Sequence, residues 1–333
     1  MAAFSRSVGK REIPTSDGPA SADDVEKAWN DNTLAQVLYH DWEAQTYDEK
    51  WSISFDERCI SYAKERFEHL LGPEILAAEP HPYGKSLEIG GGTGFFSLNL
   101  KQAGILDEVT VTDVSPGMVE AAKENARKLG FEVEGQAAFA EDLPYPDDTF
   151  DVVIGHAVIH HIPDVEAAFR DVLRVLKPGG RFVIAGEPTR VGDWYARRLG
   201  RVTWKLTTAV THTAPLRERW AKSKEELDAS SRAAALESIV DLHTFVPDEL
   251  EAMAVRAGAA DVKTQTEEFL AALLGWPVRT FEAAVNPERL GWGWAMFAYK
   301  SWLRLSAVDR VLSKGLPKGV FYNVGITGTK PLR

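Results

Sequence analysis

The residues best suited to binding a ligand form a glycine cluster near position 90. The chain reads Ser-Leu-Glu-Ile-Gly-Gly-Gly-Thr-Gly-Phe-Phe over residues 86–96, which is typical of a strand, a glycine-rich turn and the start of a helix. Glycines let a ligand approach the backbone closely, and the unpaired amides at a helix start attract an electronegative group. Four glycines in five residues cost backbone entropy that an ordinary turn does not require. The cluster therefore indicates a nucleotide-like ligand.

Spacing excludes two common nucleotide-binding motifs. A dinucleotide fingerprint that begins at Gly90 would need its third glycine where Phe95 stands. A phosphate-binding loop that ends at Gly84-Lys85-Ser86 would need a glycine at Glu79. Its Lys-Ser pair would also have to open a helix, whereas here the pair opens a strand.

Three histidines and one glutamate could handle a proton. His156 and His160 have the i, i+4 spacing of two metal ligands, but no acidic or cysteine partner lies at suitable spacing nearby, so we predict no metal site. A histidine that titrates near neutrality is suited to general-base catalysis. Our candidate catalytic residues are His156, His161 and Glu187. The alternatives are that His160 and His161 only cap or pack their loop and that Glu187 is a solvated loop acid.

The elements that must position these residues alternate between strand and helix from residue 85 onward. Alternation of this kind predicts a doubly wound, parallel α/β sheet. Two later runs would complete seven strands, the final one antiparallel. The predicted strands are 86–89, 108–112, 131–137, 150–154, 181–185, 261–266 and 320–327, and the predicted helices between them are 95–103, 117–129 and 165–176, the last ended by Lys-Pro-Gly-Gly at 177–180.

The remaining segments are predicted to surround this core. Loops that leave the carboxyl ends of parallel strands build the pocket of such a sheet, so the insertion after strand 5 should cover the site. Ser21 is expected to cap the first ordered helix. The predicted divisions are a flexible tail (1–20), an N-terminal helical lid (21–80), the ligand-binding core (81–190), a cap insertion (191–245), a core helix and strand 6 (246–268), a second helical insertion (269–319), and strand 7 with the C-terminus (320–333).

From Lys85 to Glu187 the chain resembles the class I methyltransferases that use S-adenosyl-L-methionine, particularly the group with the ubiquinone- and menaquinone-biosynthesis C-methyltransferases. The resemblance implies a seven-stranded, Rossmann-like methyltransferase sheet and S-adenosyl-L-methionine as the cofactor. It is carried, in order, by acidic-x-Gly-x-Gly-x-Gly at 88–94, the strand that ends in Asp113, Glu-Asp-Leu-Pro-Tyr-Pro at 141–146, Gly-His-Ala-Val-Ile-His-His-Ile-Pro-Asp at 155–164, and Leu-Arg-Val-Leu-Lys-Pro-Gly-Gly at 173–180.

The same resemblance implies contacts with the cofactor. The glycine motif would line its methionine part, Asp113 would hold both ribose hydroxyls, and Met118 would pack on the adenine, unless it is only a core residue of its helix. Relatives often carry an acid just before Ala140, where this chain has Phe139, so the adenine contact is expected near Ala140 and Glu141 or at Asp142. The predicted cofactor-binding residues are Tyr47, Glu88, Gly90, Gly91, Gly92, Thr93, Gly94, Asp113, Val114, Met118, Ala140, Glu141, Asp142, His156 and Ala157.

Composition limits the compartment and the partners. The net charge of −11 argues against general nucleic-acid binding, because phosphate contacts need a basic surface. Cys59 is the only cysteine, so this chain alone builds no disulfide or thiolate zinc site. Residues 1–20 lack the apolar run of a signal peptide, and the most apolar later stretch, 269–278, is too short to span a membrane. We expect a cytoplasmic protein.

Two basic, tryptophan-rich segments interrupt this acidic chain. Residues 190–222 hold eight basic and two acidic side chains, and residues 288–318 hold six and two. The helix predicted near 292–312 has a basic side and an aromatic side. Such a helix can lie on an anionic membrane surface or close over an amphiphilic substrate, and it can also simply pack on the sheet with its basic face in water.

These patterns together predict methyl transfer to an oxygen, nitrogen or carbon atom of a small-molecule or lipid-like acceptor. The basic segments suggest an acceptor that is apolar with an anionic group, so replacing Arg197, Arg198 and Arg201 should weaken acceptor binding. A non-catalytic cofactor-binding or scaffolding protein on the same fold is the alternative. The sequence leaves the acceptor atom and the oligomeric state open.

Overall fold

The structure is a computed structural model that describes residues 32–44, 47–48, 53–79, 81–223, 226 and 240–332. The predictions of a flexible tail over 1–20 and of a cap at Ser21 lie outside these residues. Among the described residues, no helix is long and apolar enough to cross a membrane.

Seven strands form one mixed sheet in the order β3-β2-β1-β4-β5-β7-β6. The first five are parallel to one another, and β7 runs antiparallel between β5 and β6. This confirms the predicted seven-stranded α/β sheet and its antiparallel last strand. The strands are β1 (Tyr83–Glu88), β2 (Leu106–Asp113), β3 (Glu134–Ala137), β4 (Phe150–His156), β5 (Leu176–Pro188), β6 (Ala260–Glu267) and β7 (Asn323–Thr329).

Both faces of the sheet are covered by apolar packing. Successive side chains of a strand point to opposite faces, and the central strands divide accordingly between two core clusters. Val153 and Ile184 belong to one cluster, and Val152 and Val183 belong to the other. This two-sided burial explains the uninterrupted apolar stretches at 152–154 in β4 and 182–185 in β5.

Four strands, β1, β3, β5 and β7, begin three or more residues from their predicted starts, and two of them show a clear cause. The helix before the Lys-Pro-Gly-Gly stretch ends at Val175, close to its predicted end, but β5 already begins at Leu176, so the stretch lies within the strand. Gly179 and Gly180 gain backbone hydrogen bonds with Lys330, a partner about 150 residues away that local sequence does not reveal. β3 begins at Glu134 and not at Phe131, because the Phe131 amide still bonds to the carbonyl of Ala126 beneath the preceding helix.

Ten α-helices are described, and their ends follow local capping rules. Ser115 accepts a hydrogen bond from the amide of Met118 at one helix start, and Asp164 caps another. The helices are α1 (Asn32–Glu43), α2 (Glu57–Ala78), α3 (Phe95–Gln102), α4 (Pro116–Lys128), α5 (Val165–Val175), α6 (Arg190–Thr211), α7 (Ala214–Trp220), α8 (Pro247–Ala257), α9 (Leu270–Ala284) and α10 (Trp292–Leu312).

Three long helices, α6, α9 and α10, form what we call the cap. α6 follows β5, while α9 and α10 lie between β6 and β7, and α9 packs against both of the others. The Asp309 carboxylate of α10 accepts hydrogen bonds from three amides at the start of α9, Phe269, Leu270 and Ala271. Because a carboxylate stabilises the positive end of a helix, this buried contact fixes α10 to α9.

Candidate active site

A cavity of about 1040 Å³ lies at the carboxyl ends of the parallel strands, between the sheet and the cap. Its lower wall comes from the ends of β1, β2 and β4. Its upper wall comes from α6, α9 and α10, and α1 and α2 contribute to its side. Ligands of open α/β sheets bind at this edge.

The glycine turn after β1 is shaped for close backbone approach. A Cβ atom on Gly90 would lie 2.0 Å from the Val158 side chain, so only glycine fits there. Gly92 has a φ of +51°, and a Cβ there would approach only Tyr47, at 3.8 Å. The backbone at Gly92 therefore faces the cavity, whereas Gly90 is required by packing.

Asp113, at the end of β2, presents a carboxylate that can accept further hydrogen bonds. It lines the cavity, is only 6% exposed, and accepts one hydrogen bond at each oxygen, from the amides of Gly92 and Ser115. A carboxylate has about four lone-pair sites, so each oxygen keeps one for a ligand hydroxyl. This geometry fits a vicinal diol such as a ribose. Val114 and Met118 continue the same wall.

Glu88 ends β1 beside the glycine turn and is buried. Burial raises its pKa to about 8, although the hydrogen bond from the Ser97 amide acts in the opposite direction. A positively charged ligand group near Glu88 would favour the ionised carboxylate.

Most of the predicted cofactor residues converge on the cavity. Thirteen of the fifteen line it, including Tyr47, Ala140, Glu141 and Ala157, and the exceptions are Gly94 and Asp142. Gly94 instead caps α3 in a left-handed conformation. Of the proposed adenine contacts, the geometry favours Ala140 and Glu141 over the Asp142 carboxylate.

His156 lines the cavity at the end of β4. Its Nε2 atom lies 3.4 Å from the hydroxyl of Tyr62 on α2, and its ring contacts Phe95 and Phe96. Burial lowers its pKa to about 4. The imidazole is therefore neutral at pH 7 and makes a hydrogen-bonded link between the sheet and α2.

His161 is oriented by a backbone carbonyl. Its Nδ1 atom lies 2.9 Å from the oxygen of Val240, and because a carbonyl only accepts, Nδ1 carries the proton. Burial, with His160 and His40 adding to it, lowers the pKa of His161 well below its usual value. The neutral ring thus keeps an unprotonated Nε2, the form required of a general base.

Glu187, a predicted candidate base, is not among the residues that line the cavity. It is fully buried at the end of β5, and its carboxylate accepts hydrogen bonds from the amides of Val158, Ile159 and His160. In addition, the Nδ1 atom of His160 lies 2.7 Å from the Oε2 atom of Glu187. These four hydrogen bonds use Glu187 to hold the turn that carries the histidines, and its burial excludes a solvated loop acid.

The fold adds Asp241 to the histidine pair, a neighbour that sequence spacing did not reveal. Its Oδ1 atom lies 3.9 Å from His160 Nε2 and 3.6 Å from His161 Nδ1, and ligand atoms of all three fall within 4.8 Å of one another. That separation suits metal ligands, but the Arg197 guanidinium, 3.5 Å from Asp241, already supplies a positive charge there. We interpret the group as a polar cluster on the cavity wall.

The upper wall is aromatic and carries two arginines and two acids, Asp193 and Glu282. Trp276 on α9, and Tyr299 and Trp302 on α10, line it together with Arg197 and Arg279. Arg197 is held by Asp193 one turn earlier on α6, at 2.7 Å. Of the three arginines of the predicted acceptor site, Arg198 and Arg201 do not line the cavity.

Comparison with known proteins places the core of the chain in a family. Residues 87–184 match the methyltransferase domain family. The 2-methyl-6-phytyl-1,4-hydroquinone methyltransferase 1 of Oryza sativa subsp. japonica is 38% identical over 162 residues, which cover 42% of this chain and 48% of that protein. The ubiquinone/menaquinone biosynthesis C-methyltransferase of Pasteurella multocida is 39% identical over 103 residues, 30% of this chain and 38% of the relative. The chain thus spans less than half the length of these curated relatives.

A solved structure supports the fold over a longer stretch. A protein from Galdieria sulphuraria described as a sarcosine dimethylglycine methyltransferase superposes with a TM-score of 0.50 at 14% identity, covering 87% of this chain and 98% of that one. The superposition thus supports the same fold beyond residues 87–184, the segment that matches the methyltransferase domain family.

Proposed function

We propose that this chain, on the premise of its methyltransferase domain, transfers a methyl group from S-adenosylmethionine to an oxygen, nitrogen or carbon atom of a small or lipid-like acceptor under the cap. One observation carries the proposal. A single cavity runs from the glycine turn and Asp113, past two neutral histidines, to an aromatic wall. Cofactor and acceptor would thus share one continuous space.

The residues of the lower wall fit the cofactor. Asp113 has lone pairs for the ribose hydroxyls, Gly92 opens its backbone to the cavity, and Glu88 offers an acid for the cationic methionine part. When bound, S-adenosylmethionine would supply an electrophilic methyl group on its sulfonium. The chain's own task is to hold the acceptor in line with that group, since positioning accounts for much of the rate of such a reaction.

His161 is the residue best placed to accept a proton from the acceptor. Its unprotonated Nε2 follows from the Nδ1 contact with Val240, and it lines the cavity. His156 is the second candidate, although its Nε2 already meets the Tyr62 hydroxyl. Glu187 would act only as a positioning residue, through the turn that carries His160 and His161.

The upper wall favours an acceptor that is apolar with an anionic or phenolic group. Trp276, Tyr299 and Trp302 would pack on its apolar body, and Arg197 would attract its polar end. The two curated relatives are named for hydroquinone and quinone-pathway substrates, which have this character. Lipophilic phenols and acids are therefore the first acceptors to screen.

Calorimetric titration with S-adenosylmethionine and S-adenosylhomocysteine tests the cofactor half. We expect micromolar binding to the wild type and its loss in Asp113→Ala. Asp107→Ala is the matched control, because Asp107 lies on the same strand but is exposed. Wild-type protein that binds neither compound would refute the proposal, and binding without methyl transfer across the acceptor screen would favour the scaffolding alternative.

A further inference from the structure

Exposed apolar side chains are concentrated on two helices. Thirteen large hydrophobic residues of the described chain are exposed, and ten of them lie on α6 and α10. Folded chains seldom leave such side chains grouped in water unless a partner covers them. We call the exposed faces of these two helices the outer cap surface.

On α6 the exposed apolar and basic residues share one face. Exposed positions recur at intervals of three or four residues from Arg190 to Val210, so they form a stripe along the helix. The only acid of α6, Asp193, is half-buried and paired with Arg197. The exposed apolar residues are Val191, Trp194, Val202, Leu206 and Val210, and the exposed cations beside them are Arg190, Arg198, Arg201 and Lys205.

The exposed face of α10 has the same composition. Its only acid, Asp309, is buried at the start of α9, so the exposed charges of α10 are all positive. The exposed apolar residues are Trp292, Phe297, Leu303, Val308 and Val311, and the exposed cations are Lys300, Arg304 and Arg310.

We propose that the outer cap surface docks on an anionic lipid bilayer. Helices that combine apolar side chains with lysine and arginine, and lack exposed acids, bind at the interface of such membranes. Trp194 adds an interfacial aromatic ring, over which the Arg198 guanidinium lies at 3.9 Å. The chain as a whole carries a charge of −11, so an anionic surface repels the rest of the molecule and orients the cap toward the lipid.

Docking in this orientation would bring the cavity close to the lipid. The inner faces of the same helices line the cavity, through Ala196, Arg197 and Gly200 on α6 and Ala298, Tyr299 and Trp302 on α10. A lipid-like acceptor would then need only a short path from the bilayer to the upper wall. This consequence rests on the proposed function, whereas the docking itself does not.

Co-sedimentation of the full chain with vesicles tests the docking. We expect binding to vesicles of phosphatidylcholine with 30% phosphatidylglycerol, weaker binding at high salt, and little binding to phosphatidylcholine alone. The double variant Val202→Glu, Leu206→Glu should weaken binding at least tenfold. Val255→Glu is the matched control, because Val255 is an equally exposed apolar residue on α8, outside the outer cap surface.

Three results would overturn the proposal. One is equal vesicle binding by the wild type and the double variant, and another is failure of the wild type to bind anionic vesicles. The third is a wild-type dimer that the double variant dissociates without any vesicle binding, which would make the face an interface between copies. Circular dichroism and cofactor titration check that the variants remain folded. Because vesicle binding needs no methyl transfer, its failure is distinct from failure of the proposed function.

Discussion

At the sheet edge the cavity wall consists of backbone and buried carboxylates, whereas under the cap it consists of long side chains that extend from helices. Gly90 and Asp113 are held by strand ends that are themselves fixed in the sheet. Trp276 and Arg197 depend on how α6, α9 and α10 pack on one another. The positions of the first wall are therefore fixed by the sheet, whereas side chains of the second can be replaced one at a time.

The largest effect should follow from a substitution in the lower wall of the cavity. Gly90→Ala adds a methyl group 2.0 Å from Val158 at a φ of +54°. We expect a loss of about 4 kcal/mol in the free energy of unfolding, together with loss of cofactor binding. Gly104→Ala is the control, since Gly104 has a φ of +73° but no atom within 4 Å, and it should lose only about 1 kcal/mol. Urea unfolding measures both, and equal losses would contradict the steric explanation.

Acid should destabilise the folded protein through His156, which lines the cavity at the end of β4. Because burial lowers the pKa of this histidine from 6.5 to about 4, the unfolded chain binds more protons than the folded chain between these values. The stability contributed by the neutral ring is fully present above pH 6.5 and is lost as pH falls to about 4. We expect the unfolding free energy of the wild type, relative to His156→Phe, to fall by roughly 3 kcal/mol across this window. If the difference in unfolding free energy between the two proteins does not change with pH, the His156 ring is exposed to water.

Glu88, on the same side of the cavity, should make the stability of the protein depend on pH in the opposite direction. Burial raises its pKa from 4.5 to about 8, so the folded chain binds more protons than the unfolded chain between these values. Relative to Glu88→Gln, the wild type should lose stability as pH rises from 4.5 to 8. Saturating S-adenosylmethionine should reduce this loss if the ionised carboxylate faces the cationic ligand. Urea unfolding across pH, with and without ligand, gives the comparison.

The smallest effect is expected from a substitution in the upper wall of the cavity. Arg197→Gln should raise the KM for an anionic or phenolic acceptor about tenfold, or about 1.4 kcal/mol, and leave cofactor affinity unchanged. Arg198→Gln, one position further along α6 but outside the cavity, should change that KM less than twofold. Steady-state kinetics on both variants decides whether the cavity arginine, and not the general charge of α6, binds the acceptor.

The same contrast explains what the sequence could predict. The strand and helix order, the antiparallel β7 and most of the residues of the lower wall follow from local patterns, since the glycine turn and Asp113 lie directly after their strands. Asp241 reaches His160 and His161 across 80 residues, and Glu187 reaches its three amides across nearly 30. Contacts of that range depend on tertiary packing, so neither Asp241's place in the site nor the structural role of Glu187 was predictable from spacing.

The antiparallel insertion of β7 between β5 and β6 also has a consequence for synthesis. The ribosome completes β1 to β6 before it reaches residues 323–329. Until β7 is made, the edge of the nascent sheet along β5 has no paired strand. At typical translation rates the stretch between β5 and β7 takes on the order of ten seconds to emerge. An open edge of buried apolar strands invites mispairing with other chains. During translation, therefore, this protein is exposed to aggregation for longer than a fold whose strands pair in the order in which they are made.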